Sequence, residues 1–364
     1  MRIAQIAPLY EAVPPALYGG TERIVAYLSD TLVELGHDVT LFASGESRTK
    51  AHLVGVRESA IRLDSSPLKS DVAAHLAMLH EVRQRADEFD VLHFHIDLLH
   101  FPLFEAIAGR TLTTLHGRLD LKDLAGFYGR WPDYPLISIS DSQRRPLAEA
   151  FWLATVHHGL PENLLPFSPE PGEYLAFLGR MSPEKRPDRA MRIAQRAGLP
   201  LRMAAKVDAA DRAYFEHVIE PMLTQPGLEF IGEINEAQKP RFLGHASALL
   251  FPIDWPEPFG LVMIEAMACG TPVIAWRHGS VAEIIEDGVT GFVVGSDDEA
   301  VAAVARIPAL DRKTVRLAFE QRFSANVMAR KYLELYRELA FHWANNGSST
   351  GPPHQSSGLT GSRP

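Results

Sequence analysis

The sequence predicts an α/β protein made of two doubly wound halves that face each other across a cleft. Strand-like and helix-like patterns alternate along the whole chain, which is typical of parallel sheets with helices on both faces. A proline-rich break, PENLLPFSPEPG at 161–172, divides this alternation into two series of similar size. The 364 residues are enough for two domains. Ligands of such sheets bind outside the carboxyl ends of the strands, so we expect a ligand between the halves.

Each series follows from local patterns. The first starts with an apolar strand at 2–7, and a helix is predicted over 21–35, where apolar residues recur at helical spacing until Gly36 stops it. Further strands are predicted at 38–43, 90–95, 111–115 and 135–140. The second series predicts strands at 174–179, 201–206, 228–232, 248–252, 272–275 and 292–294. An amphipathic helix over about 325–340 follows, and the Ser-, Gly- and Pro-rich stretch 345–364 predicts a disordered tail.

Composition excludes several classes of partner. The net charge is −9 and both halves of the chain are acidic, which argues against nucleic acid and anionic lipid. The single cysteine, Cys269, rules out a disulfide framework and agrees with a reducing cytosol. No apolar run reaches the ~18 residues of a spanning helix, and the short apolar N-terminus is better read as a strand than as a signal peptide. We therefore expect a cytoplasmic protein with at most peripheral membrane contact.

The most informative stretch is EPFGLVMIEAMACGTPVIA at 257–275, which predicts a loop, a helix and a strand. The N-terminus of a helix presents free N–H groups and partial positive charge, which suit a phosphate. Glu257 and Glu265 repel a phosphate and suit hydroxyl groups instead. Amides for phosphate beside carboxylates for hydroxyls indicate a sugar-nucleotide site.

Two other motifs add to this site. Gly19-Gly20 lies between the first strand and its helix, where paired glycines let the backbone approach a phosphate, although such pairs also form ordinary turns. The segment reads YGGTER, so the dinucleotide fingerprint GxGxxG is absent. Arg180 and Lys185, in LGRMSPEK, follow a strand and supply the cations that a diphosphate leaving group needs.

Several polar residues have both a functional and a structural interpretation. His116 follows the strand at 111–115, where it either faces a sugar or forms a structural hydrogen bond. The nearby imidazoles of His93, His95 and His100 make a metal site conceivable, although no HExxH spacing supports it. We expect Asp141 to cap the helix predicted over 141–151. Glu283 and its neighbour Glu286 are explained equally well as solvated surface residues.

Together these motifs resemble the retaining glycosyltransferases of family 4, which have the GT-B fold of two Rossmann-like domains. The resemblance covers roughly residues 1–340 and includes EDGVTGFVV at 286–294. It implies a first, acceptor-binding domain over 1–165 and a second, donor-binding domain over 170–324, with the helix at about 325–342 crossing back to complete the first. Where many relatives carry Asn-Gly this chain has His157-His158-Gly159, and a common Gly-Gly pair is replaced by His278-Gly279-Ser280. Residues 45–70 and 118–134 match no motif and lie where an acceptor would bind.

The resemblance also implies roles for individual residues. Arg180 and Lys185 would bind the donor diphosphate, Glu257 the hydroxyls of the donor sugar and Glu265 the ribose, while His116 would lie near the reacting sugar. These expectations give a catalytic set of Arg180, Lys185, Glu257 and His116. The expected donor-binding set is Gly19, Gly20, Phe259, Gly260, Leu261 and Glu265, with Gly20 in a loop against the phosphates. No metal ligand and no cofactor are expected.

The implied reaction transfers a hexose, such as glucose or mannose, from a nucleoside-diphosphate sugar to an acceptor hydroxyl. It would form an α-glycosidic bond without a metal. The base, UDP or GDP, and the acceptor, whether a saccharide, a lipid-linked group or a small molecule, stay open. A sugar-nucleotide epimerase, a phosphorylase and a non-catalytic nucleotide-sugar-binding protein are the alternatives.

Overall fold

A computed structural model describes residues 1–17 and 19–346, with the backbone alone at 346. The expected tail at 347–364 lies outside these residues, and positions 345 and 346 belong to the last helix instead.

Two parallel sheets form the framework. The first has the order β3-β2-β1-β4-β5-β6-β7, with strands β1 Arg2–Ile6, β2 Asp38–Ser44, β3 His52–Arg57, β4 Val91–Phe94, β5 Thr111–Thr114, β6 Leu136–Ser138 and β7 Trp152–Thr155. The second has the order β10-β9-β8-β11-β12-β13, with strands β8 Tyr174–Arg180, β9 Leu201–Lys206, β10 Leu228–Phe230, β11 Ala246–Phe251, β12 Val273–Trp276 and β13 Gly291–Val294. The strand order reverses beside β1 and beside β8, which makes these the switch points where ligands bind.

Helices connect and cover the strands. They are α1 Gly20–Glu34, α2 Asp71–Gln84, α3 Phe101–Phe104, α4 Leu124–Tyr128, α5 Asp141–Arg144, α6 Pro187–Ala197, α7 Arg212–Tyr214, α8 Glu220–Met222, α9 Lys239–Gly244, α10 Leu261–Ala268, α11 Val281–Ile284, α12 Asp297–Arg306, α13 Arg312–Phe323 and α14 Ala325–Asn346. In the described part of the chain, none of these helices is both long enough and apolar enough to cross a bilayer.

The predicted fold class of two doubly wound halves is confirmed, with differences at particular elements. The strands β3 and β7 were not predicted. Both are edge strands and only partly buried, so they lack the continuous apolar run of a central parallel strand. The helix expected over 141–151 ends at Arg144 and continues as a 3₁₀ turn, Arg145–Leu147, because Pro146 cannot donate a helical hydrogen bond.

The polypeptide passes from the first half to the second near Leu160 and returns near Ser324, and these two connecting segments are in contact. Leu160 and Ser324 form an isolated parallel bridge, in which the Leu160 N–H donates to the carbonyl oxygen of Phe323 over 2.9 Å. A Cβ atom at Gly159 would lie 2.4 Å from the carbonyl oxygen of Ser324, so this contact requires glycine. After the crossing, α14 packs on the first sheet and buries Tyr332 and Tyr336 there.

Candidate functional site

A cavity of about 760 Å³ lies between the two halves at the carboxyl ends of the strands. Nine of the ten residues expected at the site line it: Gly19, Gly20, His116, Arg180, Lys185, Glu257, Phe259, Gly260 and Leu261. The tenth, Glu265, lines an adjoining cavity of about 140 Å³ that shares Gly19, Gly20 and Leu261 with the first. The fold therefore brings together residues that are up to 246 positions apart in the sequence (19 to 265).

The glycines at the cleft have backbone conformations that other residues rarely adopt. Gly260 precedes α10 with φ 82°, and a Cβ atom there would lie 2.8 Å from Cε of Met263. Gly19 has φ 154°, and its Cβ would lie 2.8 Å from Cγ of Pro15. The resemblance implied that Gly20 lies in a loop. In the structure it is instead the first residue of α1. Both helices thus begin at the cleft after a glycine, which offers no side chain to cap them.

The two expected phosphate-binding cations both have carboxylate partners. The Nζ atom of Lys185 pairs with Glu257, which also accepts a 2.9 Å hydrogen bond from Nε1 of Trp255. Arg180 pairs with Glu184 and lies 3.9 Å from Asp208. A diphosphate would therefore exchange these carboxylates for its own oxygens.

Glu265 belongs to an ion network that joins the two halves. Its Oε1 atom accepts from Nζ of Lys239 over 2.6 Å, and the same Nζ lies 2.6 Å from Glu236. Glu236 in turn pairs with Arg23 of α1 over 2.9 Å and accepts from the Tyr27 hydroxyl over 3.5 Å. Burial alone would lower the pKa of Lys239, but the two carboxylates outweigh burial and raise it. Lys239 is thus held as a cation next to the expected ribose-binding carboxylate.

His116 lies on the cleft wall as a neutral imidazole. Burial lowers its pKa to about 3, so the ring carries no charge at neutral pH. Its Nε2 atom is 2.9 Å from Nδ1 of His95. The ring stacks on His158 at a centroid distance of 5.2 Å, and His158 in turn meets the edge of Phe259 at 4.9 Å. A neutral ring can donate or accept a hydrogen bond, so His116 is suited to hydrogen bonding with a hydroxyl group.

Five of the six ring nitrogens of the histidines considered for a metal site, His93, His95 and His100, are hydrogen-bonded within the described structure; Nδ1 of His100 is the exception. His93 bonds Tyr336 and Thr114 over 2.7 and 2.8 Å, and His100 bonds Thr113 over 3.0 Å. Across residues 1–17 and 19–346, no cluster of three or more His, Cys, Asp or Glu side chains is arranged to hold a metal ion.

Two residues at the interface differ from the sequence interpretation. Ser140, not Asp141, caps α5, accepting from the Gln143 N–H over 3.0 Å and donating to the carbonyl oxygen of Pro258 over 2.6 Å. Glu283 is half-buried and accepts from the backbone N–H groups of Asp141 and Ser142 over 2.7 and 2.8 Å. Burial alone would raise the pKa of Glu283, but these hydrogen bonds and one from His157 lower it. Glu283 therefore joins the second half to the first, a role that its sequence context did not distinguish from solvation.

Asp97 is a cleft residue that sequence reasoning missed. It directly follows His95 and Ile96 past the end of β4, has a left-handed backbone with φ 53°, and lines the cavity. Surrounding protein raises the pKa of its carboxyl group to about 6 through desolvation. The signal in the sequence was its position after a central strand, the same signal that identified His116.

The first half also contributes residues from the segments that matched no motif. Arg62 comes from 45–70, and Arg118, Leu121, Leu124 and Tyr128 come from 118–134, and all of them line the cavity. This wall is largely apolar with scattered polar groups, and it faces the wall that carries Lys185 and Glu257.

Comparison with known proteins agrees with this arrangement. The family model described as Glycosyl transferases group 1 matches residues 166–322, and the model described as Glycosyltransferase Family 4 matches residues 18–152. The phosphatidyl-myo-inositol mannosyltransferase of Mycolicibacterium smegmatis is 27% identical over 361 residues, covering 90% of this chain and 89% of its own.

Solved structures share the fold. AviGT4, a glycosyltransferase involved in avilamycin A biosynthesis, superimposes with a TM-score of 0.71 at 24% identity, covering 94% of this chain and 98% of its own. Anabaena Alr3699/HepE in complex with UDP and glucose has a TM-score of 0.70 at 18% identity, covering 93% of this chain and all (100%) of its own. With two family models matched over both halves and GT-B transferases as structural neighbours, this chain belongs to the group 1 glycosyltransferases of family 4 and is a glycosyltransferase of the GT-B fold.

Proposed function

We propose that this enzyme transfers a hexose, glucose or mannose, from a UDP- or GDP-sugar to an acceptor hydroxyl and forms an α-glycosidic bond with retention of configuration. The observation that carries the proposal is the convergence of Arg180, Lys185, Glu257 and the start of α10 on one wall of the cleft, next to Glu265. Cations and helix amides suit a diphosphate, and the two glutamates suit the hydroxyl groups on either side of it. HepE, which shares this fold, has been solved with UDP-glucose, and the mycobacterial relative is named a mannosyltransferase.

Catalysis would be mainly electrostatic. As the bond to the anomeric carbon breaks, negative charge develops on the diphosphate, where Lys185, Arg180 and the N–H groups of α10 would stabilise it. The leaving phosphate would take the proton of the acceptor hydroxyl on the same face of the sugar, which retains the configuration. Arg180 and Lys185 could stabilise the diphosphate without a metal ion, which supports a metal-independent reaction. Closure of the halves, through the Arg23–Glu236 and Glu283 contacts, would exclude water.

The acceptor would bind on the wall formed by the first half. Arg62, Arg118 and Asp97 place polar groups there among leucine and tyrosine side chains. The carboxylate of Asp97 suits an acceptor hydroxyl, which would donate a hydrogen bond to it. The buried single thiol, Cys269, and the acidic composition support a cytoplasmic location.

A thermal-shift screen with UDP, GDP and ADP tests this proposal, followed by the sugars of the nucleotide that binds. One diphosphate should raise the melting temperature, because a ligand at 100 times its Kd adds about 2.7 kcal/mol of stability. The anomeric configuration of the product is then read by NMR. Absence of a shift with all three nucleotides would overturn the proposal. Epimerisation of the donor without acceptor would indicate an epimerase, and a requirement for free phosphate would indicate a phosphorylase.

A further inference from the structure

A buried chain of hydrogen bonds runs from the C-terminal helix to the cleft, and we call it the imidazole chain: Tyr336, Gln5, His95 and His116. Nε2 of Gln5 donates to the Tyr336 hydroxyl over 3.0 Å, and Oε1 of Gln5 is 2.8 Å from Nε2 of His95. Nδ1 of His95 is 2.9 Å from Nε2 of His116. Gln5, His95 and Tyr336 are each at least 98% buried, so solvent does not compete for these bonds.

The direction of each bond follows from the first. In the orientation that the structure gives the Gln5 amide, Oε1 faces Nε2 of His95; because this oxygen can only accept, Nε2 of His95 must carry a hydrogen. Burial lowers the pKa of His95 far below its ordinary value, so the ring is neutral and its Nδ1 is an acceptor. Nε2 of His116 must then carry the hydrogen that it shares with His95. The neutral His116 ring is left with a bare Nδ1, and this atom has no hydrogen-bond partner among the residues that the structure describes.

We propose that the C-terminal helix, acting through Tyr336, Gln5 and His95, holds His116 as the Nε2–H tautomer and so presents a substrate hydroxyl with an acceptor, Nδ1. The proposal rests on the function proposed above, because the hydroxyl belongs to a sugar bound in this cleft. Tyr336, Gln5 and His95 are positioning residues that do not touch the substrate. His116 would contact the substrate without exchanging a proton with it.

We infer that Tyr336 sets the donor-to-acceptor direction of the hydrogen bonds in the imidazole chain. The amide of Gln5 can bond His95 in either of two orientations, related by exchange of its oxygen and nitrogen. The reverse orientation would place N–H against Nε2 of His95 and turn His116 into the Nδ1–H tautomer, a donor. The hydroxyl of Tyr336 also bonds Nδ1 of His93 over 2.7 Å, and in the arrangement that we propose it donates to His93 and accepts from Gln5.

Tyr332 provides a matched control on the same helix. It lies one turn before Tyr336, is equally buried and also bonds through its hydroxyl, to Thr114 over 2.8 Å. Its hydroxyl contacts no member of the imidazole chain. Tyr336→Phe and Tyr332→Phe therefore each remove one buried hydroxyl, but only Tyr336→Phe removes the group that orients Gln5.

The test is a long-range ¹H–¹⁵N NMR spectrum of the full chain labelled with ¹⁵N-histidine, in which His116 is assigned by the signals that His116→Gln loses. In the wild type, Nε2 of His116 should be protonated and Nδ1 bare, with no change between pH 6 and 8. Tyr336→Phe should give a mixture of both tautomers, and Tyr332→Phe should match the wild type. With UDP-glucose or GDP-mannose, whichever donor binds, Tyr336→Phe should lower kcat about 3- to 10-fold, the worth of one hydrogen bond. Tyr332→Phe should stay within about twofold.

A wild-type His116 protonated at Nδ1 would overturn the proposal, and so would a Tyr336→Phe spectrum identical to that of the wild type. Both results are obtained without substrate. They therefore decide this inference separately from the proposed transferase reaction, which the nucleotide screen decides. If neither variant folds, the wild-type spectrum alone still distinguishes the two tautomers.

Discussion

The ammonium group of Lys185 and the carboxylate of Glu257 form an ion pair in the cleft wall, with only 14% and 12% of their side chains exposed. Nζ of Lys185 also lies 5.0 Å from the centre of the Trp255 ring, whose Nε1 donates to the same carboxylate. The residue expected to bind the diphosphate is thus the partner of the residue expected to bind the sugar. When a buried ion pair separates, each charge needs a new partner. A donor that places phosphate on Lys185 and hydroxyls on Glu257 would give both charges a partner at once.

Replacing Lys185 should therefore affect turnover far more than folding. We expect Lys185→Ala to lower the rate about 10²- to 10³-fold, because one stabilising group for the leaving diphosphate is lost. The melting temperature should also fall, because the Glu257 carboxylate loses its ammonium partner, but the variant should still fold with the hydrogen bond from Trp255 to Glu257 in place. Steady-state kinetics and thermal melting measure both effects. Arg196→Ala is the control, because Arg196 pairs with Asp298 at the surface away from the cleft. Near-normal turnover of Lys185→Ala would contradict the assigned role.

Removal of divalent metal should leave the rate within about twofold. In the proposed reaction, Arg180 and Lys185 would supply the positive charge that a metal supplies to a diphosphate in other transferases. The measurement is the initial rate in excess EDTA, compared with the rate after added Mg²⁺ or Mn²⁺. Complete loss with the chelator and recovery with one of the metals would contradict the metal-independent reaction.

Glu265 should be required for binding of the ribose. We expect Glu265→Gln to weaken the Kd of the nucleoside diphosphate about 10- to 100-fold, because a hydrogen bond to a charged group is lost. A 2′,3′-dideoxy nucleotide should bind the wild type about as weakly as the normal nucleotide binds Glu265→Gln. Binding of the dideoxy nucleotide to Glu265→Gln should be little weaker than either of these. Glu320→Gln, on α13, is the control. Fully additive losses in isothermal titration would show that Glu265 does not contact the ribose.

Glu283 should stabilise the contact between the halves, and its effect should depend on pH. Glu283→Ala removes the acceptor for two backbone N–H groups and should lower the free energy of unfolding by about 1.5–3 kcal/mol at pH 7. The pKa of Glu283 is lowered in the folded protein, so the stabilisation is present above the ordinary glutamate pKa of about 4.3 and is lost as pH falls through the folded value.

Urea unfolding at pH 7 and at pH 3.5 measures this dependence. The difference between the wild type and Glu283→Ala should shrink at the lower pH. The exposed neighbour Glu286 is the control, and Glu286→Ala should match the wild type at both values. An equal difference for Glu283→Ala at both pH values would indicate that its charge contributes nothing.

Asp97 should show the opposite pH dependence. Desolvation raises its pKa to about 6, so the folded state binds the proton more tightly than the unfolded state does. The contribution of Asp97 to stability therefore falls as pH rises from about 4 to about 6, so the wild type should lose stability relative to Asp97→Asn over this range; the exposure of the side chain in the cleft keeps this difference small. Unfolding free energies of the wild type, Asp97→Asn and the exposed control Asp133→Asn, measured from pH 4 to 7, test this. Asp97→Asn should also impair transfer to the acceptor while leaving nucleotide binding intact, and weakened nucleotide binding would contradict its place on the acceptor side.

Much of the fold was determined by local patterns in the sequence. Central strands such as β1 and β8 are buried on both faces and read as apolar runs, and the helices between them carry their own periodicity and glycine stops. Most of the expected site residues were recognisable because they follow a strand or lie at the start of a helix, and the carboxyl ends of parallel strands meet at one edge. Edge strands were missed because half-exposed strands lack that apolar run.

Only the tertiary structure decided which polar groups are partners. Lys185 and Glu257 are 72 positions apart, and Glu283 reaches the N–H of Ser142 from 141 positions away. Burial decides the charge of His116, and hydrogen bonds to Tyr336, 331 positions from Gln5, decide its tautomer. Local sequence shows that a residue is acidic, basic or aromatic. Its partner and its protonation depend on desolvation and on contacts that exist only after the two sheets and α14 have packed.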